Sequence, residues 1–557
     1  MKPQPPVTKS RIGARTNSGR QGARAEFSGQ PSPAAQRITL ALESDWMFWV
    51  ILALAAALRL LFLGIKPPHF DEGINGWFVD QMMKNGYYSY DPTNYHGPLH
   101  FYILFLFLNL LGRNLWALRL PVVLASITCV WLTMRYERVL PRLVARLAAI
   151  TMAVSPAFVF YGRYSIHEVW LLLFSMLFIL GLLGLWKYGT RAYLWGIGMG
   201  ITGMILTKET YIIHLGCALI AIPLTFLSAR LSPSEDTSPA PPTWNWLDLA
   251  AVIFVGVTAI VFFYSGTFLH MSGLKGLFVT FQTWFATGNT GAGHEKSWYY
   301  WLELLVRYEW PLLAGLILSS LCLLLRNLPL RFLAINGVGT VLAYSIIHYK
   351  TPWCIISLVW PLLFLFGAIV VLVPIRRLLF AYVAGSILLV VSLSSCISLN
   401  YFHCTDFADY QWEDDRSVVG NVSAFFASEP YVYVQTYNDI YRLTTPLLAL
   451  AHANPAAYHL IGHFIRTSPY PFPWIFGDFT RIGYYEADNM PAMVDADFLV
   501  VQEDRIAEVE PKLKENYYTM PLTIRPYQDT SKLYLRAGVF GRFFPAKQPN
   551  FVGAAKR

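Results

Sequence analysis

Two short segments hold the residues best suited to chemistry. In His69-Phe-Asp-Glu-Gly-Ile-Asn75 the acidic pair Asp71 and Glu72 follows directly on an apolar stretch that passes Arg59, and in Tyr95-His-Gly-Pro-Leu-His100 two imidazoles flank a proline. Carboxylates at the mouth of a bilayer protein are costly unless they are solvated or used. A carboxylate placed there can act as a general base on a hydroxyl, with Phe70 as the apolar wall that makes it basic and Gly73 allowing a close turn. Asp71 is the candidate base, with Glu72 beside it. A long polar and aromatic loop follows, and then about ten further apolar runs of bilayer-crossing length. That order favours catalysis at the membrane surface over transport through its midplane.

The elements that must position these residues are membrane helices. Of the 557 residues, 55% are hydrophobic and 14% charged. Apolar runs of about 18–22 residues recur from Trp46 to Leu399, enough to cross a hydrocarbon layer of about 30 Å. The aromatic share of 16% suits interface belts and sugar-stacking surfaces. The net charge of +9 is no nucleic-acid signal, because much of it lies in the N-terminal tail and in short turns between spans. Residues 1–43, rich in Pro, Ser, Gly, Arg and Gln, read as a disordered basic cytoplasmic tail. The six cysteines show no spacing that suggests a metal site or a disulfide framework.

Arginine placement sets the topology. The run from Leu99 to Gly112 is short for a crossing and reads as a juxtamembrane or re-entrant helix. The span Trp116–Thr133 then returns to the cytoplasm and delivers Arg135, Arg138, Arg142 and Arg146 to the side that positive charge prefers. Continued in register, this gives about eleven crossings with the N-terminus inside. The predicted architecture is an all-α polytopic membrane domain over residues 44–400, whose first outer loop covers 66–115. A small α/β extracytoplasmic domain follows over 401–557. Within it Tyr431–Gln435 and Asp497–Gln502 read as short buried strands, Leu447–Ala453 as a helix turn and Tyr470–Trp474 as a Pro/aromatic loop.

This topology sends Asp71, Glu72, His96, His100, Arg163, Glu168, Lys208, Glu209 and Lys350 to the outer face, although it rests on span length and arginines alone. Each has a plainer reading by itself. His96 and His100 suit an interface, Arg163 and Lys350 can snorkel to headgroups, and Lys208-Glu209 can be a local ion pair of little weight. The functional reading belongs to the set.

The order Asp71-Glu72, Tyr88-Ser-Tyr-Asp-Pro92, His96-Gly-Pro-Leu99, Arg119-Leu-Pro121 and Arg163 with Glu168 resembles the GT-C fold glycosyltransferases. These include the dolichyl-phosphate-mannose–protein mannosyltransferases and the aminoarabinose transferases of lipid A. Thr207-Lys-Glu209, Tyr349-Lys-Thr-Pro-Trp353 and Tyr470-Pro-Phe-Pro-Trp474 are most similar to the flippase-activity-associated membrane proteins first named in archaeal N-glycosylation and also found in bacteria. The resemblance covers nearly the whole chain beyond the tail. It implies a catalytic role for the acidic residue after the first span, here Asp71, and for a second one at Glu168, where those relatives usually have Asp. His96 falls where the lipid A enzymes have a lysine, so a phosphate contact there requires a protonated imidazole.

The expected activity is an inverting, polyprenyl-phosphate-dependent hexosyl transfer to a glycan, lipid or protein acceptor on the outer face of the cell membrane. Departure of a phosphate needs positive charge, which His96, Arg163, Lys208 or Lys350 could supply. Tyr95, His100, Glu209 and Trp353 are the candidates for holding acceptor or sugar. Asp71 and Glu168 could together hold a divalent cation, although two isolated carboxylates are a weak signal. The alternative from another class is a lipid-linked sugar flippase or its accessory subunit. That reading calls for mid-span ionisable residues and broken helix pairs in two related halves. A polysaccharide polymerase or ligase would keep the same outer-face chemistry.

Overall fold

Hydrocarbon offers no partner to a backbone N–H or C=O, so apolar runs of this length satisfy those groups internally, as helices. The structure, a computed structural model, describes residues 30–94, 96–234, 239–290, 294–403, 429–486, 489–526 and 528–553. The first span is built from α1 (Pro33–Glu43) and α2 (Asp45–Leu60), bent by 69° at Ser44. Within the predicted first loop lie α3 (Phe70–Asn85) and the short apolar α4 (Leu99–Leu111). Then come α5 (Leu115–Arg135), the bent pair α6 (Arg142–Val154) and α7 (Pro156–Phe160), and α8 (Glu168–Tyr188). Every later span predicted from the sequence is also helical. Among the described residues, seven helices are long and apolar enough to cross a bilayer unaided, from Leu115–Arg138 to Ile375–Phe402. Trp310–Cys322, with 13 residues, is shorter than its apolar run suggested.

Buried charges serve the ends of the broken helices. The α6–α7 span bends at Ser155-Pro156, where proline has no N–H to give. Arg59 donates to the carbonyls of Met152 (3.1 Å) and Ala153 (3.2 Å) at the end of α6. Glu309 accepts from the Ala157 N–H (2.7 Å) at the start of α7. A cation at a helix C-terminus and an anion at an N-terminus each complement the peptide dipole. Arg163 does the same for α2, donating to the carbonyls of Leu58 (2.9 Å), Leu61 (2.8 Å) and Phe62 (2.9 Å).

The bundle has two chemically distinct ends, joined by α5. Near its start Arg119 meets Glu72. Past its end Glu137 faces Arg135, Arg142 and Arg146 at 4.0, 3.4 and 3.6 Å. The Arg138 carbonyl there accepts from Lys187 Nζ (2.9 Å). The arginines predicted to be cytoplasmic thus collect at the end opposite Asp71.

The C-terminal domain holds a six-stranded sheet of order β2-β1-β3-β5-β4-β6. Its strands are β1 (Ile461–Ile465), β2 (Arg481–Tyr485), β3 (Phe498–Gln502), β4 (Asn516–Leu522), β5 (Ser531–Arg536) and β6 (Asn550–Phe551). β1 runs parallel to β2 and β3, and the remaining pairs are antiparallel. The predicted strand at Asp497–Gln502 is β3, buried along its length, and the predicted helix turn lies inside the helix Tyr441–Ala453. The loop Tyr470–Trp474 docks this domain onto α3. A Cβ at Gly73 would stand 2.5 Å from Pro471 Cα, and one at Gly76 would stand 2.2 Å from Trp474 Cδ1. Arg113 locks the contact, donating to Asp80 (2.8 and 2.9 Å), the Trp474 carbonyl (2.8 Å) and Asp478 (3.1 Å).

Four expectations are corrected. Residues 33–43 of the tail expected to be disordered form a helix: Ser32 caps α1 by accepting from the Ala35 N–H (3.2 Å), and Pro33 opens it. Residues 1–29 lie outside the described residues. The first loop is largely helical. Gly73 makes no turn but lies inside α3, where its missing side chain admits Pro471. Tyr431–Gln435 is no strand, because its backbone bonds to side chains of the membrane domain instead of a ladder. The Tyr431 carbonyl takes the Tyr161 hydroxyl (3.2 Å), and the Tyr433 carbonyl bonds His69 (2.9 Å).

Candidate active site

Asp71 is positioned by the first turn of α3. His69 is the N-cap, accepting from the Asp71 N–H at Nδ1 (3.1 Å), while Glu72 reaches back to the His69 N–H (2.9 Å). This reciprocal box fixes the direction in which the helix starts. Because Nδ1 accepts, Nε2 carries the ring proton and donates to the Tyr433 carbonyl (2.9 Å). Burial lowers the His69 pKa, so the ring is neutral and its 3.7 Å approach to Asp71 Oδ2 is no ion pair. The Asp71 side chain keeps 28% of its surface, and its place in a first helical turn favours negative charge.

Glu72 has no surface to offer. Arg119 donates to both of its oxygens (2.8 and 2.7 Å), and the Ser165 N–H adds a third bond (2.8 Å). Burial works against its charge, but Arg119 and the backbone donors hold the carboxyl below its ordinary value. Arg119 also donates to the carbonyls of Leu63 (2.7 Å), Lys66 (3.1 Å) and Pro67 (3.0 Å). The pair pins the passage from α2 to α3. Glu72 holds Asp71 in place and is not a second reacting carboxylate.

A two-stranded ribbon brings cations to this turn. Lys350 N–H donates to the His294 carbonyl (3.1 Å) and Lys296 N–H to the His348 carbonyl (3.3 Å), around a bridge between Glu295 and Tyr349. Tyr433 ties ribbon and turn together. Its hydroxyl meets His294 Nδ1, and its ring lies 5.8 Å from the Lys296 ammonium and 5.9 Å from the Trp353 ring. Trp353 also packs edge-on to His69 at 6.4 Å. Burial pushes the Lys350 pKa down to about 8. Across the turn, Arg525 of the C-terminal domain lies 3.6 Å over the Phe70 ring, which also meets Tyr470 edge-on at 5.9 Å. Phe70 is therefore a seat for a cation and not the apolar wall expected beside Asp71.

A second group adjoins the first. Gly97 N–H donates to the Thr207 carbonyl (3.1 Å) and Leu99 N–H to the Leu206 carbonyl (3.0 Å). A Cβ at Gly97 would stand 2.3 Å from the Leu206 oxygen, so this pairing requires glycine. It sets His96 Nδ1 3.1 Å from Glu209 Oε2, while Lys208 reaches Glu168 at 2.6 Å beside Cys354 Sγ (3.7 Å). The local Lys208–Glu209 pair, the plainer reading of these two residues, is thus replaced by two longer-range contacts. The rings of His96, His167 and His100 follow in series, with centroids 4.6 and 4.4 Å apart. His100 ends the series wholly buried, accepting from Trp170 Nε1 (3.0 Å) and meeting Ser165 Oγ (3.1 Å).

Trp353 and Cys354 are neighbours in one turn, so the two groups share a wall. Trp353 joins the Asp71 turn through His69, Lys350 stands on the ribbon with its ammonium bound to the Lys296 (3.2 Å) and Ile347 carbonyls, and Glu168, Lys208, His96 and Glu209 adjoin. The structure sets apart Glu72, Arg163 and His100, whose polar atoms serve the fold. Tyr95 lies outside the described residues. The Lys208 charge is committed to Glu168, which weakens both the phosphate role of the one and the metal role of the other. Among the described residues no group of three His, Cys, Asp or Glu is arranged to hold a metal ion. The sequence reading did not single out Tyr433, Lys296 or Arg525. Arg119 stood inside a quoted motif, whereas Arg525 carries no local signal and reaches the site only through domain docking.

Residues 95–260 match the family model of the dolichyl-phosphate-mannose-protein mannosyltransferases. The crystal structure of ArnT from Cupriavidus metallidurans bound to undecaprenyl phosphate is similar at a TM-score of 0.52 and 14% identity, covering 90% of this chain and 98% of that one. The fold is that of the GT-C membrane glycosyltransferases. In the apo state, ArnT from the same organism gives a TM-score of 0.49 at 13% identity, over 91% of this chain and 99% of that one. No curated protein matches the chain. The family-model match takes in the His96 and Lys208 segments, while Asp71 and the cationic ribbon lie outside it.

Proposed function

We propose that this protein is a membrane glycosyltransferase that moves a sugar from a polyprenyl-phosphate-linked donor to a hydroxyl acceptor with inversion. The observation that carries this reading is the partly exposed Asp71 carboxylate, held at a helix N-terminus beside buried cations in a GT-C fold. The undecaprenyl phosphate bound by the similar ArnT supports a donor of that class. The donor phosphate lies toward Lys350, and Trp353 offers an aromatic face to the sugar. Asp71 takes the acceptor hydroxyl proton as the oxygen attacks the anomeric carbon. The bond from that carbon to the phosphate oxygen breaks with its electron pair going to the phosphate, where positive charge stabilises it. Attack opposite the leaving group inverts the centre.

The proposed topology puts this end of the bundle, with the C-terminal domain, on the extracytoplasmic side, since the arginine-rich end prefers the cytoplasm. A cysteine introduced at Arg138 should react with an impermeant reagent only after the cells are opened. Labelling of intact cells would reverse the orientation.

The Lys350 pKa also gives a pH dependence. The ammonium is charged below about 8 and neutral above. Affinity for a polyprenyl phosphate should therefore be steady near neutral pH and fall as pH rises past that value. Lys350→Arg stays charged throughout and should flatten the profile. Equal falls in both proteins would place the titrating group elsewhere.

A further inference from the structure

The C-terminal domain contributes one charged side chain to the Asp71 turn. Arg525 follows β4, and its guanidinium is stacked on Phe70, the residue next to Asp71. Its Nη2 reaches Ser468 Oγ at 3.5 Å, the limit of a hydrogen bond, and its buried Nε has no partner. Desolvating a guanidinium N–H without a partner is costly, and Arg142 and Arg146 also leave their Nε without a hydrogen-bond partner. The contrast with the other buried arginines is informative. Arg119 and Arg163 bind helix-end carbonyls, whereas Arg525 rests on an aromatic face that fixes its plane without using its N–H edge. Burial lowers its pKa to about 10, against the pull of Asp71 and Tyr433. The charges around it are mixed, with Lys296 and Arg466 on one side of the balance and Asp71 and Glu295 on the other. His294 lies within electrostatic reach of Arg525, Lys296, Asp71 and Glu295, and Arg466 of the same domain repels Arg525. Asp71 must accept a proton in turn, so it cannot serve as a fixed counter-ion. An oxyanion presented to the open N–H edge would satisfy the guanidinium with the planar geometry that arginine favours.

We infer that Arg525 is a binding residue for the donor phosphate, so that the site is complete only when the C-terminal domain is seated on α3. This rests on the glycosyltransferase reading and supplies the arginine contact that Arg163, bound to the end of α2, does not. The domain then acts on catalysis through its docking contacts: Pro471 on Gly73, Trp474 on Gly76 and the Arg113 bridge to Asp80 and Asp478. Phosphate contacts from the ribbon and from the C-terminal domain approach Asp71 from two sides.

The test is titration of the full-length protein in lipid nanodiscs with a short-chain polyprenyl monophosphate, and in parallel with the uncharged polyprenol. Wild type should prefer the phosphate. Arg525→Gln should lose about ten- to a hundredfold in phosphate affinity, as for one charge-assisted contact, with polyprenol binding unchanged. Arg525→Lys, which keeps the charge but not the planar stacked fork, should recover only part of the loss. Phe70→Leu removes the seat but not the charge and should give a smaller, phosphate-specific loss. Equal phosphate affinity in wild type and Arg525→Gln would overturn the assignment. So would a parallel loss for both lipids, since that marks a latch between domains and not a phosphate contact. A wild type that does not distinguish the two lipids would fail earlier, at the glycosyltransferase reading itself.

Discussion

Asp71→Asn should lower turnover by about two to four orders of magnitude. The amide keeps the size and most of the hydrogen-bonding shape of the side chain but cannot take a proton from the acceptor. The loss belongs to the transition state, so affinity for a polyprenyl phosphate should stay near wild type, and kcat should fall while KM changes little. The structure makes this a clean substitution. Asp71 contributes its backbone N–H to the capping box through His69, while the side chain that closes the box is that of Glu72. Single-turnover kinetics with binding measured on the same preparation separates the two effects. Loss of binding equal to the loss of rate would make Asp71 a binding residue.

Arg119→Met should destabilise the protein by about 3–5 kcal/mol, the usual cost of stranding one member of a buried ion pair. Glu72 would keep the Ser165 and His69 N–H groups but lose both guanidinium bonds, and three carbonyls between α2 and α3 would lose their donor. Glu72→Gln should cost less, since Arg119 keeps its carbonyl partners. Adding Glu72→Gln to Arg119→Met should recover part of the loss, because it removes the stranded charge. Thermal unfolding of the four proteins in one detergent checks this. Additive losses would mean that the two residues act independently and that the pair does not hold the Asp71 turn.

The spans were legible because the bilayer imposes one length and one polarity on them. Arginine placement sorted the two ends, and the structure gathers Arg135, Arg142 and Arg146 around Glu137. Asp71 was legible as a carboxylate directly after a span. What was hidden depended on partners remote in sequence. α3 was read as part of a loop in which Gly73 allows a close turn, yet Gly73 and Gly76 are both seats for residues of the C-terminal domain. Ser32-Pro33 has the composition of the segment expected to be disordered but is also a helix start. Tyr431–Gln435 has strand-like alternation and its burial was foreseen, but its partners are side chains of the membrane domain. A lone cation such as Arg163 gives no sign in sequence of whether it will bind a phosphate or a helix end. Arg525 shows the limit most plainly, since the residue it stacks on, Phe70, belongs to the far end of the chain.

The central claim is that Asp71 drives sugar transfer onto a cell-surface acceptor. Mass spectrometry of surface glycans from a deletion strain carrying either wild type or Asp71→Asn tests it most directly. The expected result is a glycan that lacks a sugar residue in the deletion strain, regains it with wild type, and still lacks it with Asp71→Asn present in the membrane at the same level. Full restoration by Asp71→Asn would contradict the account, leaving a flippase or a scaffold in its place.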